Sequence, residues 1–181
     1  MKYNKTITLK DGRTAVLRNG DASDGAAVYE HFTATHGETD FLLAYPDENS
    51  FPLEQEADFL AGKAASDNEI MLLALVDGTV VGTASVMSLG AKYKVKHRAD
   101  FGISVSKEYW GLGIGKALTK ACIQCAKDAG YTQLELSVVA DNARAVALYR
   151  ALGFRDFGLN PKGFNSRTAG YQELLYMLLE L

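Results

Sequence analysis

The chain has 181 residues, 48% of them hydrophobic and 23% charged, so it buries enough apolar surface to offset the ordering of one domain and has little room for a second. Nineteen Lys and Arg against 22 Asp and Glu give a net charge of −3, the wrong sign for a chain held to nucleic acid by phosphate neutralisation, although a local basic groove stays compatible with it. Met1 to Lys10 alternates polar and apolar residues with no continuous apolar run, unlike a secretory signal, and the longest apolar stretch, Ile70 to Val76, is too short to span a bilayer. The expectation is a single domain over residues 1–181, located in the cytoplasm, with neither nucleic acid nor membrane as a partner.

In chain order, Ile7, Leu9, Ala15 and Leu17 flank Asp11-Gly12, a dipeptide suited to the positive φ angles of a hairpin turn. Ala22, Ala26, Tyr29 and Phe32 recur at helical spacing, so Asp21 to Thr35 reads as a helix, with Gly37 as its stop. A second helix starts at Pro52 and carries Ala57, Leu60, Ala61 and Ala64 to about residue 66. Ile70 to Val76 and Val80 to Val86 are apolar runs joined by Asp77-Gly78, a hairpin whose unbroken hydrophobicity suggests strands covered on both faces at the centre of a sheet.

Ala99 to Val105 is the next strand, after a polar loop with Lys92, Lys94, Lys96, His97 and Arg98. Beyond a glycine-rich turn, Ile114, Ala117, Leu118, Ala121, Cys122 and Cys125 define an amphipathic helix to about Asp128. Thr132 to Val138 is a strand, Asn142 to Leu152 a helix, and Phe154 onward is extended, ending in Leu174 to Leu179. Strands and helices in this order imply a mixed sheet with helices on both faces. Cys122 and Cys125 fall mid-helix on its apolar side, where free core thiols are the better reading than a redox pair. His31, His36 and His97 lack ligand spacing, so no metal site is expected.

The segment that carries chemistry is Trp110-Gly111-Leu112-Gly113-Ile114-Gly115-Lys116, where a strand passes into a helix through three alternating glycines. Glycine permits close backbone approach, and the first helical turn offers unpaired N–H groups and a partial positive charge, a combination that suits a phosphate or diphosphate. The dinucleotide register GxGxxG fails from Gly111, which meets Lys116, and from Gly113, which meets Leu118. The pattern GxxxxGK[ST] fails as well, because Trp110 stands at its first glycine and Ala117 follows Lys116.

This segment resembles the acetyl-coenzyme A loop of the GNAT N-acetyltransferase superfamily, whose motif is Gln or Arg, two residues, Gly, one residue, then Gly or Ala. Trp110 stands where the family has Gln or Arg. A second segment, Asp141-Asn142 through Tyr149 with Leu152-Gly153-Phe154, is similar to the next element of that family, an Asn-capped helix bearing Tyr and closing on a Gly-Phe turn. The resemblance extends over about residues 69 to 181. It implies an α/β (α+β) fold, a mostly antiparallel sheet that splays between the strands at 99–105 and 132–138, with pantetheine in the gap near Ile103, Ser104 and Val105.

It further implies that Trp110, Gly111, Leu112, Gly113, Ile114, Gly115, Lys116 and Asn142 contact acetyl-CoA, and that a strand N–H at Ser104 or Val105 polarises the thioester carbonyl. Tyr149 would stand near the sulfur as general acid; taken by itself, the same ring would simply fill a helix-to-sheet interface. Asp100 is the candidate base for the acceptor amine, against the competing explanation of a solvated carboxylate at a strand end. Asp40 and Glu48 are either recognition groups for a cationic acceptor or plain exposed carboxylates. The Lys92 to Arg98 run is a solvated loop or a contact to the coenzyme's phosphate. The expected activity is acetyl transfer to a primary amine of a small molecule or peptide; a non-catalytic acyl-CoA sensor of the same fold is the alternative, and a homodimer is left open.

Overall fold

The computed structural model describes residues 1–48 and 52–181. Strands β1 (Asn4–Thr8) and β2 (Thr14–Asn19) form a first hairpin, followed by helices α1 (Gly25–Glu38) and α2 (Leu53–Ala65). Strands β3 (Ile70–Val76) and β4 (Thr79–Ser88) form a second hairpin. Then β5 (Arg98–Val105) leads through the glycine turn into α3 (Ile114–Asp128), β6 (Gln133–Val139) leads into α4 (Ala143–Ala151), and β7 (Arg155–Ser166) returns as β8 (Gly170–Glu180). The sheet order is β1-β2-β3-β4-β5-β6-β8-β7, antiparallel throughout except between β5 and β6.

Alternation along β3 explains why helices cover both faces. Ile70, Leu72, Ala74 and Val76 enter the larger core with Ile114, Leu118, Cys122 and Cys125 of α3, while Met71, Leu73 and Leu75 pack with Val28 of α1 and Leu60 of α2. The hairpin Asp77-Gly78 has both residues at positive φ (49° and 81°), as a two-residue turn requires. The first hairpin needs only Gly12 at positive φ, because its loop is longer and Leu9 N–H closes it onto Arg13 O at 2.7 Å.

Gly37 does not stop the helix expected over Asp21 to Thr35: α1 runs through it to Glu38. One turn earlier His36 stacks on Phe32 at 3.6 Å, with Nδ1 2.8 Å from the Phe32 carbonyl oxygen, and this side-chain pair holds the last turn helical. Among the described residues no helix is long and apolar enough to cross a membrane.

Candidate active site

β5 and β6 pair over only three positions, Arg98 with Gln133, Ala99 with Leu134 and Asp100 with Glu135, and then part. β5 nevertheless continues to Val105 along β4, so its other edge lies open. Ser106 N–H donates to Val81 O at 3.0 Å and Leu89 N–H to Arg98 O at 3.2 Å. The alternation of an antiparallel ladder therefore turns the backbone groups of Gly102 and Ser104 toward β4 and those of Phe101, Ile103 and Val105 toward the opening. Of the two N–H groups considered for a thioester carbonyl, only that of Val105 faces the gap. The Val105 carbonyl is taken by the Trp110 indole N–H at 2.6 Å.

At the mouth of the gap, Gly111 and Gly113 have φ of 84° and 103°. L side chains resist such angles, and a Cβ at either position would meet no protein atom within 4 Å, so the space above the turn stays clear. The amides of Gly111, Gly113, Ile114, Gly115 and Lys116 donate to no protein group among the described residues, and the helix begins only with Ala117 N–H to Gly113 O at 3.0 Å. Five free donors at the positive end of a 15-residue helix fit a diphosphate. Lys10 N–H to Leu112 O at 3.1 Å braces the turn from below.

Across the gap, Asn142 Oδ1 caps α4 by accepting from Ala145 N–H at 3.2 Å, which leaves its amide donors without a protein partner among the described residues. Two turns on, Tyr149 is 6% exposed and sits against Phe101 (6.1 Å, edge-on) and Phe154 (5.8 Å). It is thus both an interface aromatic and a candidate acid. Its hydroxyl has no hydrogen-bond partner in the protein among the described residues, and burial pushes its pKa up to about 12.

Asp100 occupies the last paired position of the fork, on the face opposite Phe101. The residue remains exposed, while packing around its carboxyl, and then the charge of Glu135, raise its pKa to about 6. Glu135 itself stays ionised because Arg98 grips it, with Nη2 2.8 Å from Oε2. Tyr149 and Asp100 therefore approach the same fork from opposite faces of the sheet.

Three features escaped the sequence. His31 on α1, 5% exposed, places Nε2 2.9 Å from Ser104 Oγ and Nδ1 3.3 Å from Ser106 Oγ, and Ser104 Oγ also meets Thr83 Oγ1 at 3.0 Å. Burial lowers the His31 pKa to about 4, so it is neutral and pins the end of β5. Gln172, on the same face of the sheet as Leu178 and Glu135, buries Oε1 with no partner among the described residues. Finally, the loop after α1 clasps the β7–β8 tip: Asp40 accepts from Tyr45 Oη at 2.8 Å and from Ser166 Oγ, and Arg167 pairs with Asp47 at 2.7 Å and Glu48 at 3.3 Å. Asp40 and Glu48 thus have partners on this tip, and Glu48 stays exposed as expected. No periodic signal marks such long-range partners; only folding brings them together.

Two other readings resolve on geometry. Of the Lys92 to Arg98 run, Lys92 to His97 precedes β5 and Arg98 opens it, whereas the glycine turn follows the strand, so the run sits at the far end of an eight-residue strand from the free amides. Cys122 and Cys125 are buried in the core, where burial pushes both thiols up and leaves them inert.

The model of the acetyltransferase (GNAT) family, whose members use acetyl-CoA as co-substrate, matches residues 26–154. An L-amino acid N-acetyltransferase of Escherichia coli strain K12 is 33% identical over 107 residues, 59% of this chain and 65% of that protein; the match thus spans just under two thirds of the relative. An acetyltransferase of the same family from Streptococcus pneumoniae superposes with a TM-score of 0.88 at 28% identity, over 92% of this chain and 99% of the other. A Salmonella typhimurium acetyltransferase structure, solved with acetyl-CoA, shares the fold with a TM-score of 0.80 at 20% identity, over 92% of this chain and 94% of the other.

Proposed function

The chain belongs to the acetyltransferase (GNAT) family, and from its site we propose that it transfers an acetyl group from acetyl-CoA to a primary amine of a small molecule or peptide by direct attack on the thioester. Held in the gap, acetyl-CoA supplies a carbonyl carbon that takes the amine nitrogen while the carbon–sulfur bond breaks and coenzyme A leaves as thiol. The free amides from Gly111 to Lys116 hold the diphosphate, and the inward-facing backbone of Ile103 and Val105 aligns the pantetheine arm. Val105 N–H is the donor for the carbonyl oxygen as charge develops on it. Tyr149 gives its proton to the departing sulfur, and the proton that the nitrogen sheds on becoming an amide restores the phenol.

A primary amine with a pKa of about 10.4 reaches the site mostly protonated and must lose a proton before it attacks. Asp100, on the acceptor face, takes that proton directly or through water. With a pKa of about 6 it is mostly ionised at neutral pH, yet a better base than an ordinary carboxylate. The observation that carries this reading is the fork itself. Its last paired residue is an elevated carboxylate, and a buried phenol with no protein partner stands on the other face.

The test is thiol release from acetyl-CoA across a panel of primary amines. Release that requires an amine and collapses in Tyr149→Phe supports the enzyme. Tight coenzyme binding with no amine-dependent release by the wild-type chain would replace it with the non-catalytic sensor.

A further inference from the structure

Six of the seven arginines are paired with carboxylates: Arg13 with Asp11, Arg18 with Asp24, Arg98 with Glu135, Arg150 with Asp156, Arg155 with Glu180 and Arg167 with Asp47. Arg144 is the exception among the described residues. Its guanidinium lies over the Trp110 ring, 5.5 Å from the centroid. That ring is fixed in turn by the indole N–H bond to Val105 O at 2.6 Å.

The arrangement holds an uncompensated planar cation on a rigid aromatic face. Trp110 is also the residue that opens the glycine turn, immediately before the free amides of Gly111 to Lys116. A Cβ at Gly115 would stand 3.7 Å from Leu148, so α3 begins beside α4, and Arg144 over Trp110 places the first turn of α4 at the same mouth. A guanidinium resting on an indole keeps its fork of N–H donors for a bidentate partner, and phosphate matches that fork in charge and geometry.

We propose that Arg144, held by Trp110, is a phosphate ligand of the coenzyme, completing from α4 the anion site that the α3 amides begin. The proposal rests on the acetyl-CoA reading of that mouth. Coenzyme A carries two kinds of phosphate, the diphosphate and the 3′-phosphate, and the test separates them.

Calorimetric titration of the full chain with coenzyme A and with 3′-dephospho-coenzyme A is the experiment, on wild type, Arg144→Gln, Trp110→Leu, Trp110→Phe and the Arg144→Gln/Trp110→Leu double variant, each checked for an unchanged melting temperature. Arg144→Gln should weaken coenzyme A binding by about ten- to a hundredfold, the range of a charge-assisted hydrogen bond. A penalty that persists with the dephospho compound assigns Arg144 to the diphosphate, and one that vanishes assigns it to the 3′-phosphate; either supports the proposal. Trp110→Phe should keep most of the affinity because the ring remains, and Trp110→Leu should lose as much as Arg144→Gln with no further loss in the double variant. Equal binding of both compounds by Arg144→Gln and wild type overturns the phosphate role, and additive losses in the double variant overturn the role of the ring. Absence of binding by the wild type would instead bring down the acetyl-CoA reading, and this proposal with it.

Discussion

Replacing Tyr149 by Phe separates packing from chemistry. The ring's neighbours stay as they are, Phe101 at 6.1 Å and Phe154 at 5.8 Å, and hold a phenyl group as they hold the phenol. The hydroxyl takes no protein hydrogen bond with it, since it has none among the described residues. Its removal should therefore change unfolding free energy by less than about 1 kcal/mol, against the larger penalty of stranding a buried partner. In a chain of this size that is a shift of no more than about 2–4 °C in Tm.

Amine-dependent thiol release, by contrast, should fall by about 10²- to 10⁴-fold, the contribution of one general acid. This corresponds to about 3–5 kcal/mol in the barrier. Because burial pushes the phenol to about 12, the wild-type rate should show no alkaline limb from this group in any ordinary assay range. Stopped assays with a thiol reagent, run beside thermal melts of both proteins, read the two quantities independently. Thiol release at the wild-type rate would refute the acid role. A melting loss as large as the loss of rate would show that the ring and its hydroxyl serve packing instead.

Asp100→Asn tests the base. The folded carboxyl titrates at about 6 against 3.8 in the reference state, so Asp100 favours folding below pH 3.8 and that contribution is lost as pH rises through 6. The variant should therefore melt higher than wild type at about pH 7.5 and no higher at about pH 3.5, by roughly 1 kcal/mol once solvent screening of this exposed side chain is allowed for. Wild-type kcat/KM should rise across pH 6 and that of the variant should not, and a variant that keeps the rise removes Asp100 from the mechanism.

His31 acts with the opposite sign. Its pKa of about 4 against 6.5 means its stabilisation is complete above pH 6.5 and lost as pH falls through 4. That loss is on the order of 3 kcal/mol. His31→Leu should flatten the acid side of a melting-temperature series while costing about 1–3 kcal/mol at neutral pH, because Ser106 Oγ loses its partner. Gly113→Ala imposes a side chain at φ 103°, costing about 1–2 kcal/mol, and should weaken coenzyme binding in calorimetry although its Cβ touches no protein atom.

Local chemistry made much of this legible before folding. The two apolar runs around Asp77-Gly78 and the helical spacing from Ile114 to Cys125 are periodic signals, and they reappear as β3, β4 and α3 with their faces as expected. The glycine turn was legible for the same reason: φ of 84° and 103° is a property of a few consecutive residues, so the residue types announce it. Gly37 misled because a glycine permits a helix stop without requiring one, and the His36–Phe32 pair outweighed it.

Tertiary structure decided what depends on partners far apart in the chain. That β5 and β6 part just beyond Asp100 follows from how long two strands remain parallel neighbours, and no local pattern encodes it. The same holds for His31 meeting Ser104 across 73 residues, Asp40 meeting Ser166 across 126, and Arg144 resting on Trp110. Short-range sterics and hydrophobic periodicity are written into neighbouring residues; a hydrogen bond between distant ones exists only after the core has set the faces, the register and the opening between strands.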